Sequence, residues 1–92
     1  MEYWVYILQS EKDGSYYIGY TSDIEERLKR HNHGKSLYTK AKVPWKLIYR
    51  EEFHSRSEAM QREQEIKRKK NRAYIDYLVR ASRAGLGKVV PT

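Results

Sequence analysis

Two short apolar runs near the start of the chain, joined by an Asp-Gly pair, constrain the fold most strongly. Residues 3–8 are apolar at every position, which is typical of a strand buried on both faces. Asp13 and Gly14 then precede a second run at residues 16–20, and Asp-Gly between two β-prone runs is a strong hairpin signal. Because Gly19 adds no side chain to the second run, we expect another group to approach its backbone closely.

Two helices are predicted from capping signals. Ser22 and Glu25 fit a capping box that starts a first helix, and Gly34 is the kind of residue that ends one. A third strand is predicted at residues 45–53. Ser55 and Glu58 form a second capping box directly after this strand, so another helix begins there.

The remaining segments complete a small α+β domain. Residues 35–43 are interpreted as a loop, and a last helix is predicted over residues 73–81. Residues 82–92 contain two glycines and a proline, and we expect a flexible tail there. The order β-β-α-β-α-α predicts a three-stranded antiparallel sheet flanked by helices, with residues 1–81 as one domain.

The composition excludes several classes of protein. The 92 residues leave room for one modest core and include no cysteine, which excludes disulfides, thiolate zinc sites and a cysteine nucleophile. The first residues lack the regions of a signal peptide, and no apolar run reaches the length of a membrane span. We therefore expect a soluble protein of the reducing cytoplasm, with no membrane contact and no haem or nucleotide cofactor.

The net charge of +7 is unevenly distributed along the chain. Residues 1–53 carry nine Lys or Arg against eight Asp or Glu, a net charge of +1. Residues 54–92 carry ten against four, a net charge of +6. Positive charge concentrated in one half of a chain favours a polyanionic partner such as nucleic acid, although a solvated basic helix end would have the same composition.

Glu63 is the most informative polar residue. Its neighbours on the same helix face, Ala59 and Ile66, are apolar, so its carboxylate should point towards the sheet. A carboxylate there is costly unless it is paired or binds a metal; a glutamate that bends out to solvent is the alternative. His31 and His33 are two residues apart on a helix and face different directions, which excludes them as a zinc pair.

The order of these motifs resembles that of the GIY-YIG nuclease superfamily. Val-Tyr-Ile at residues 5–7 resembles the first family motif without its opening glycine, and Tyr-Ile-Gly at residues 17–19 matches the second. Arg27 and His31 lie one helical turn apart, where the family has its arginine and a histidine or tyrosine. The segment around Glu63 matches the metal-binding glutamate segment of the family.

The resemblance covers residues 4–78 and is nearest to the small single-domain bacterial members, which share Tyr-Thr-Lys, here at residues 38–40. The family's asparagine after the metal helix is matched to Asn71. The resemblance implies a metal-dependent endonuclease that hydrolyses phosphodiester bonds. A structure-selective enzyme of DNA repair or processing is one form that this activity takes.

The resemblance also implies a role for each candidate catalytic residue. Glu63 would bind Mg²⁺ or Mn²⁺, and Arg27 would stabilise the charge that develops on the phosphate. Tyr6 or Tyr17 would deprotonate or position the attacking water, and which of the two does so stays open. His31 titrates near neutrality and would take the phenol's proton.

The substrate implied is nucleic acid, with DNA favoured over RNA. Two alternatives stay open: a nucleic-acid-binding module that has kept the fold but lost turnover, and a basic interaction protein with neither activity. The contacts to nucleic acid are expected from the second strand, the loop after the first helix, and the basic stretch that ends the second helix. These residues are Gly19, Lys35, Thr39, Lys40, Lys42, Lys67, Lys69, Lys70, Asn71 and Arg72.

Overall fold

A three-stranded antiparallel sheet forms the centre of the computed structural model, which describes residues 2–34, 37–69 and 71–83. The predicted α+β fold, with main elements in the order β-β-α-β-α-α, is confirmed. The strands are β1 (Tyr3–Ser10), β2 (Tyr16–Thr21) and β3 (Trp45–Phe53), in the spatial order β2-β1-β3. The helices are α1 (Ile24–Asn32), α2 (Leu37–Lys40), α3 (Arg56–Lys69) and α4 (Arg72–Arg83).

Two segments differ from their predicted form. The loop predicted over residues 35–43 contains one helical turn, α2, which is too short to show a 3.6-residue period in the sequence. Tertiary contacts hold this turn, because the indole Nε1 of Trp45 donates to the carbonyl of Thr39 at 3.0 Å. The last helix, α4, continues two residues past its predicted end. Residues 84–92 of the predicted tail lie outside the described residues.

The predicted capping boxes are correct at one helix and wrong by one residue at the other. Ser55 caps α3, and its hydroxyl accepts from the amide of Glu58 at 3.2 Å. The N-cap of α1 is Asp23 rather than Ser22, since the Asp23 carboxylate accepts from the amide of Glu26 at 3.1 Å. Both residue types are good N-caps, so the choice between adjacent candidates depends on the turn that precedes the helix.

The predicted hairpin is present, and its tip is fastened to the chain that precedes β3. Gly14 adopts a φ of +78°, which a glycine tolerates, and its amide donates to the carbonyl of Ser10. The Lys42 ammonium lies 3.0 Å from an Asp13 carboxylate oxygen and donates to the Ser15 hydroxyl at 2.9 Å. The Ser10 hydroxyl donates to the carbonyl of Lys42 at 2.7 Å. These contacts fix where β3 enters the sheet.

The sheet separates two layers of apolar packing, because alternate side chains of β1 point to opposite faces. No helix in the described part of the chain is long and apolar enough to span a membrane. On one face α3 and α4 cover the sheet, and the core there contains Val5, Ile7, Ile18, Tyr49, Ala59, Ile66, Ile75, Leu78 and Val79. On the other face α1 covers a smaller cluster of Tyr6, Leu8 and Trp45 with Tyr17, Ile24, Leu28, Val43 and Leu47.

A buried ion pair fastens α3 to the sheet. Arg62 is 4% exposed, and its Nε donates to a carboxylate oxygen of Glu51 on β3 at 3.0 Å. The other oxygen of Glu51 accepts from the hydroxyl of Tyr49, while Nη1 of Arg62 donates to Glu65 and to the hydroxyl of Tyr74. A charge pair removed from water keeps its partners only in one geometry, so this network fixes the rotation of α3.

Replacing Arg62 with methionine should destabilise the fold, because it leaves the Glu51 carboxylate buried without its counter-charge. The expected loss in the free energy of unfolding is about 3–5 kcal/mol, measured by urea denaturation. Arg80→Met is the matched control, since the exposed Arg80 pairs only with Asp76 in the described structure, and surface substitutions change stability by about 0.5 kcal/mol or less. Equal stabilities of the two variants would contradict the role given to the buried pair.

Candidate active site

A polar cleft of about 430 Å³ opens beside the edge strand β2, and we call it the β2 cleft. Side chains from β1, β2, α1 and α3 line it. A larger cleft, about 620 Å³, lies between α3 and the end of β3 but contains none of the predicted catalytic residues. The β2 cleft is lined by Tyr3, Tyr6, Tyr17, Gly19, Tyr20, Thr21, Ser22, Arg27, Arg56 and Glu63.

The phenol of Tyr6 reaches the cleft by passing over Gly19. The two residues are cross-strand partners in the β1–β2 pair. A Cβ placed on Gly19 would lie 2.7 Å from the Tyr6 hydroxyl, a distance that Cβ atoms essentially never adopt, and 3.2 Å from the ring of Tyr17, which is tighter than most Cβ contacts. The expected close approach to Gly19 is therefore present, and Tyr6 makes it. Gly19 accommodates this ring and also lines the cleft; its predicted contact to nucleic acid stays a prediction.

Tyr6 is held in a cluster of aromatic rings. It is 1% exposed, its ring stacks on that of Tyr17 with centroids 6.3 Å apart, and Tyr17 lies 4.6 Å from the ring of His31. The hydroxyl of Tyr6 is 3.3 Å from Nε2 of His31. Burial raises the pKa of Tyr6 above its usual value; the nearby Tyr17 and Glu63 act in the same direction, while Arg27 opposes them. Tyr6 by itself is thus a phenol that holds its proton.

His31 is the group placed to receive that proton. It is 3% exposed, and its Nδ1 lies 2.9 Å from the hydroxyl of Thr39. Burial lowers the pKa of His31 below its usual value of 6.5, and the positive charges of Arg27 and Arg30 lower it further. The imidazole is therefore neutral at pH 7, so one ring nitrogen is a hydrogen-bond acceptor.

Two arginines bring positive charge to the β2 cleft. Arg27 of α1 lies beside Tyr6 and forms a 3.6 Å ion pair with the adjacent Glu26 on the surface. Arg56, the first residue of α3, donates through Nε and Nη2 to the hydroxyl of Tyr20, at 3.3 Å each. This hydrogen bond raises the pKa of Arg56. Among the described residues, Arg56 has no carboxylate partner within ion-pair distance, so its charge is available to an anion.

Sequence reasoning missed Arg56, although a signal for it exists. Arg56 precedes Glu63 by seven residues, which is two helical turns, so the two side chains lie on the same face of α3. Arg56 is the first residue of α3 after the Ser55 cap, and it lies at the end of the helix nearest to Tyr20. A search along the face of Glu63 towards the helix start would have found Arg56.

Glu63 points inward from α3, as its helix register predicted, and it lines the β2 cleft. Its side chain is 13% exposed, and its neighbours Ala59 and Ile66 are fully buried. One oxygen is 3.4 Å from the ammonium of Lys67, so the pairing with a lysine that the sequence left open is also present. In the described part of the chain no three His, Cys, Asp or Glu side chains cluster as a metal site. A single carboxylate fits Mg²⁺, which keeps several waters and takes its remaining ligands from substrate phosphates.

The basic residues predicted as nucleic-acid contacts lie outside the β2 cleft wherever they are described. Lys35 and Lys70 lie outside the described residues. Lys40 is exposed, and Lys42 forms an ion pair with Asp13 at the tip of the hairpin. The other three are Lys67, paired with Glu63; Lys69, with its ammonium 4.8 Å from the centre of the Tyr74 ring; and Arg72, stacked on Tyr16 at 5.1 Å.

Two polar residues predicted to contact nucleic acid have internal partners instead. Thr39 is fully buried, and its hydroxyl lies against His31, so it offers no surface to a substrate. Asn71 precedes α4 and caps it, since its side-chain oxygen accepts from the amide of Tyr74 at 2.7 Å. The match of Asn71 to the family's asparagine is therefore not supported by its position, because it does not line the β2 cleft.

Comparison with known proteins finds one family. Residues 2–75 match the family model described as the GIY-YIG catalytic domain. A UPF0213 protein of Streptococcus pneumoniae serotype 4 is 49% identical over 76 residues, which span 82% of this chain and 76% of the relative. A UPF0213 protein of Staphylococcus haemolyticus is 51% identical over 67 residues, spanning 72% of this chain and 80% of the relative. The solution NMR structure of UPF0213 protein BH0048 from Bacillus halodurans aligns over the full length of both chains, with 36% identity and a TM-score of 0.58.

Adding a side chain at Gly19 should disable the cleft while the strand still forms. Gly19→Val places carbon atoms where the Tyr6 hydroxyl lies, so the phenol must move away from His31. We expect the variant to stay folded and to shift the ring resonances of Tyr6 and His31 in NMR spectra. Lys46→Val, at an exposed position of β3, is the matched control. Unchanged ring resonances in Gly19→Val would contradict the close approach described above.

Proposed function

This chain belongs to the GIY-YIG catalytic domain family, as the order of its motifs predicted, and on that premise we propose that it is a metal-dependent endonuclease. The proposed reaction is hydrolysis of a phosphodiester bond in nucleic acid. The observation that carries the proposal is the convergence of Tyr6, Tyr17, Arg27 and Glu63 on the β2 cleft, with His31 in contact with Tyr6. These residues come from four elements, so their meeting does not follow from the packing of any one helix or strand.

Glu63 is the residue that would hold the metal, Mg²⁺ or Mn²⁺. When bound, such an ion polarises the scissile phosphate and stabilises the charge that develops on it. The Glu63 side chain is 13% exposed and borders the open β2 cleft, which leaves room beside it for a substrate oxygen. The Lys67 ammonium near it can swing to solvent on its flexible stem.

The two arginines would act on phosphate groups. Guanidinium groups match phosphate geometry through paired N–H donors, and both Arg27 and Arg56 border the cleft that holds Glu63. Arg27 lies beside the Tyr6 phenol, so it would contact the phosphate under attack. Arg56, held by Tyr20 at the start of α3, would contact a flanking phosphate of the same strand.

Tyr6 is the tyrosine that we assign to proton transfer. Forming a phenolate at pH 7 costs about 4 kcal/mol for an unperturbed phenol, and burial makes it harder for Tyr6. The neutral His31 supplies an acceptor that avoids a free phenolate, because the phenol's proton moves to Nε2 as the phenol oxygen accepts a proton from the attacking water. Arg27 favours release of the proton by Tyr6 but disfavours protonation of His31, so we assign it to the phosphate and not to the proton transfer.

The same proposal includes the class of substrate and the cellular compartment. A polar cleft with two arginines and a basic chain favours nucleic acid, and we propose DNA rather than RNA, in the cytoplasm. Binding without turnover is the second candidate, and the 3.4 Å contact between Lys67 and Glu63 favours it. If that pair persists with substrate bound, the lysine neutralises the charge that a divalent cation needs.

Glu63→Gln separates the enzyme from the binding module. The substitution keeps size and hydrogen bonding but removes the charge on which the metal depends, so cleavage should fall at least about a hundredfold. Several kcal/mol of charge stabilisation are lost, and each 1.36 kcal/mol is about tenfold in rate. The assay is nicking of supercoiled plasmid DNA with Mg²⁺, with a matched RNA. Folding and binding in EDTA should be retained.

The control for that assay is Glu25→Gln, which removes an exposed carboxylate of α1 away from the cleft. Its cleavage rate should equal that of the wild type. A wild-type rate in Glu63→Gln, in preparations shown to be free of contaminating nuclease, would rule out the proposed mechanism. Binding of DNA by the wild type with no cleavage at all would favour the second candidate.

Arg56→Ala tests the flanking-phosphate contact. Each phosphate contact on duplex DNA contributes about 0.9 to the slope of log affinity against log salt. The variant should therefore bind more weakly in EDTA, with a slope shallower by about one contact. Arg80→Ala is the matched control, because this exposed arginine pairs with Asp76 on α4. If both variants keep the wild-type slope, Arg56 does not bind phosphate.

A further inference from the structure

Behind the β2 cleft, three buried polar side chains form a continuous hydrogen-bonded chain. The Tyr6 hydroxyl lies 3.3 Å from Nε2 of His31, and Nδ1 of the same ring lies 2.9 Å from the Thr39 hydroxyl. All three residues are at most 3% exposed. The first two belong to the proposed catalytic machinery, whereas Thr39 lies on the far side of the imidazole from the cleft.

The position of Thr39 is fixed by contacts from two other elements. Its carbonyl accepts from Nε1 of Trp45 at 3.0 Å and from the amide of Lys42 at 3.1 Å. The backbone of Trp45 is in turn bound on both sides by the amide side chain of Asn32, at 2.6 Å and 3.0 Å. The turn α2 is thus held between α1 and β3, and these contacts direct the hydroxyl of Thr39 towards His31.

The two contacts fit either tautomer of His31, and the acidity of the two hydroxyl groups favours one of them. A neutral imidazole has one N–H donor and one nitrogen acceptor. A phenol is more acidic than an aliphatic hydroxyl and is therefore the better donor to the imidazole lone pair, although its contact is longer, at 3.3 Å against 2.9 Å for Thr39. Nε2 of His31 is then the acceptor, and Nδ1–H donates to the oxygen of Thr39. A hydroxyl can accept this bond, whereas a methyl group in its place cannot.

We propose that Thr39 is a positioning residue that holds His31 in the Nδ1–H tautomer, with Nε2 free to accept the proton of Tyr6. In the opposite tautomer Nε2–H would point at the phenol oxygen, and the imidazole could not receive the proton. The value of this arrangement for catalysis rests on the proposed function. The tautomer itself is a property of the protein without substrate.

The test is a long-range ¹H–¹⁵N correlation spectrum of the His31 ring in the full chain, recorded without metal or nucleic acid at a pH where the ring is neutral. The wild type should show a protonated Nδ1 and an unprotonated Nε2. Thr39→Val keeps the shape of the side chain and removes the acceptor, so the spectrum should move towards the Nε2–H form. Thr39→Ser restores the hydroxyl and should restore the wild-type pattern.

Cleavage provides the second readout. General acid–base catalysis contributes about 10²–10⁴ in rate, so Thr39→Val should lose about tenfold or more while Thr39→Ser stays within a few-fold of the wild type. A wild-type ring protonated at Nε2, or an unchanged tautomer in Thr39→Val, would overturn the inference. If Thr39→Val does not fold, the spectra of the wild type and of Thr39→Ser still show which nitrogen of the His31 ring carries the proton. Absence of cleavage in the wild type would overturn the proposed function and leave the tautomer measurement standing.

Discussion

The contact between the ring of Tyr6 and the backbone of Gly19 is the constraint on which the rest of the site depends. Without a Cβ on β2 at this point, the phenol can lie flat over the neighbouring strand. That places the hydroxyl beside His31 and opens the β2 cleft along a sheet edge. A bulkier residue would fill the space and would separate the phenol from the helix that carries Arg27.

The second constraint is the rotation of α3, which the buried pair of Arg62 and Glu51 sets. Successive residues on a helix differ by about 100° in direction. Because Arg62 turns towards β3 to meet Glu51, Glu63 turns towards the β2 cleft. A buried ion pair is weak evidence for stability by itself. Here its geometric effect matters more, since of two adjacent charged residues one is directed to the sheet and the other to the cleft.

Sequence reasoning succeeded where the signal is local. The hairpin, the glycine at a point of close approach, and the inward face of Glu63 all follow from patterns within a few residues. It failed where long-range contacts determine whether a residue is buried or which conformation a segment adopts. Arg62 is a charged residue whose burial depends on a partner eleven positions away, and α2 is held by Trp45 rather than by its own period. Thr39 was therefore predicted to contact nucleic acid, because nothing in its neighbourhood indicates a buried imidazole.

The most direct measurement of the central claim is paramagnetic broadening by Mn²⁺, followed by NMR on the ¹⁵N-labelled protein with a short DNA duplex bound. Broadening falls steeply with distance from the ion, so it locates the metal without any assay of cleavage. The account predicts that the resonances of Tyr6, Gly19 and Glu63 disappear first, with those of Arg56 and Arg27 next. Broadening centred on the larger cleft around Glu58 and Glu65, or spread evenly over the acidic surface, would contradict it.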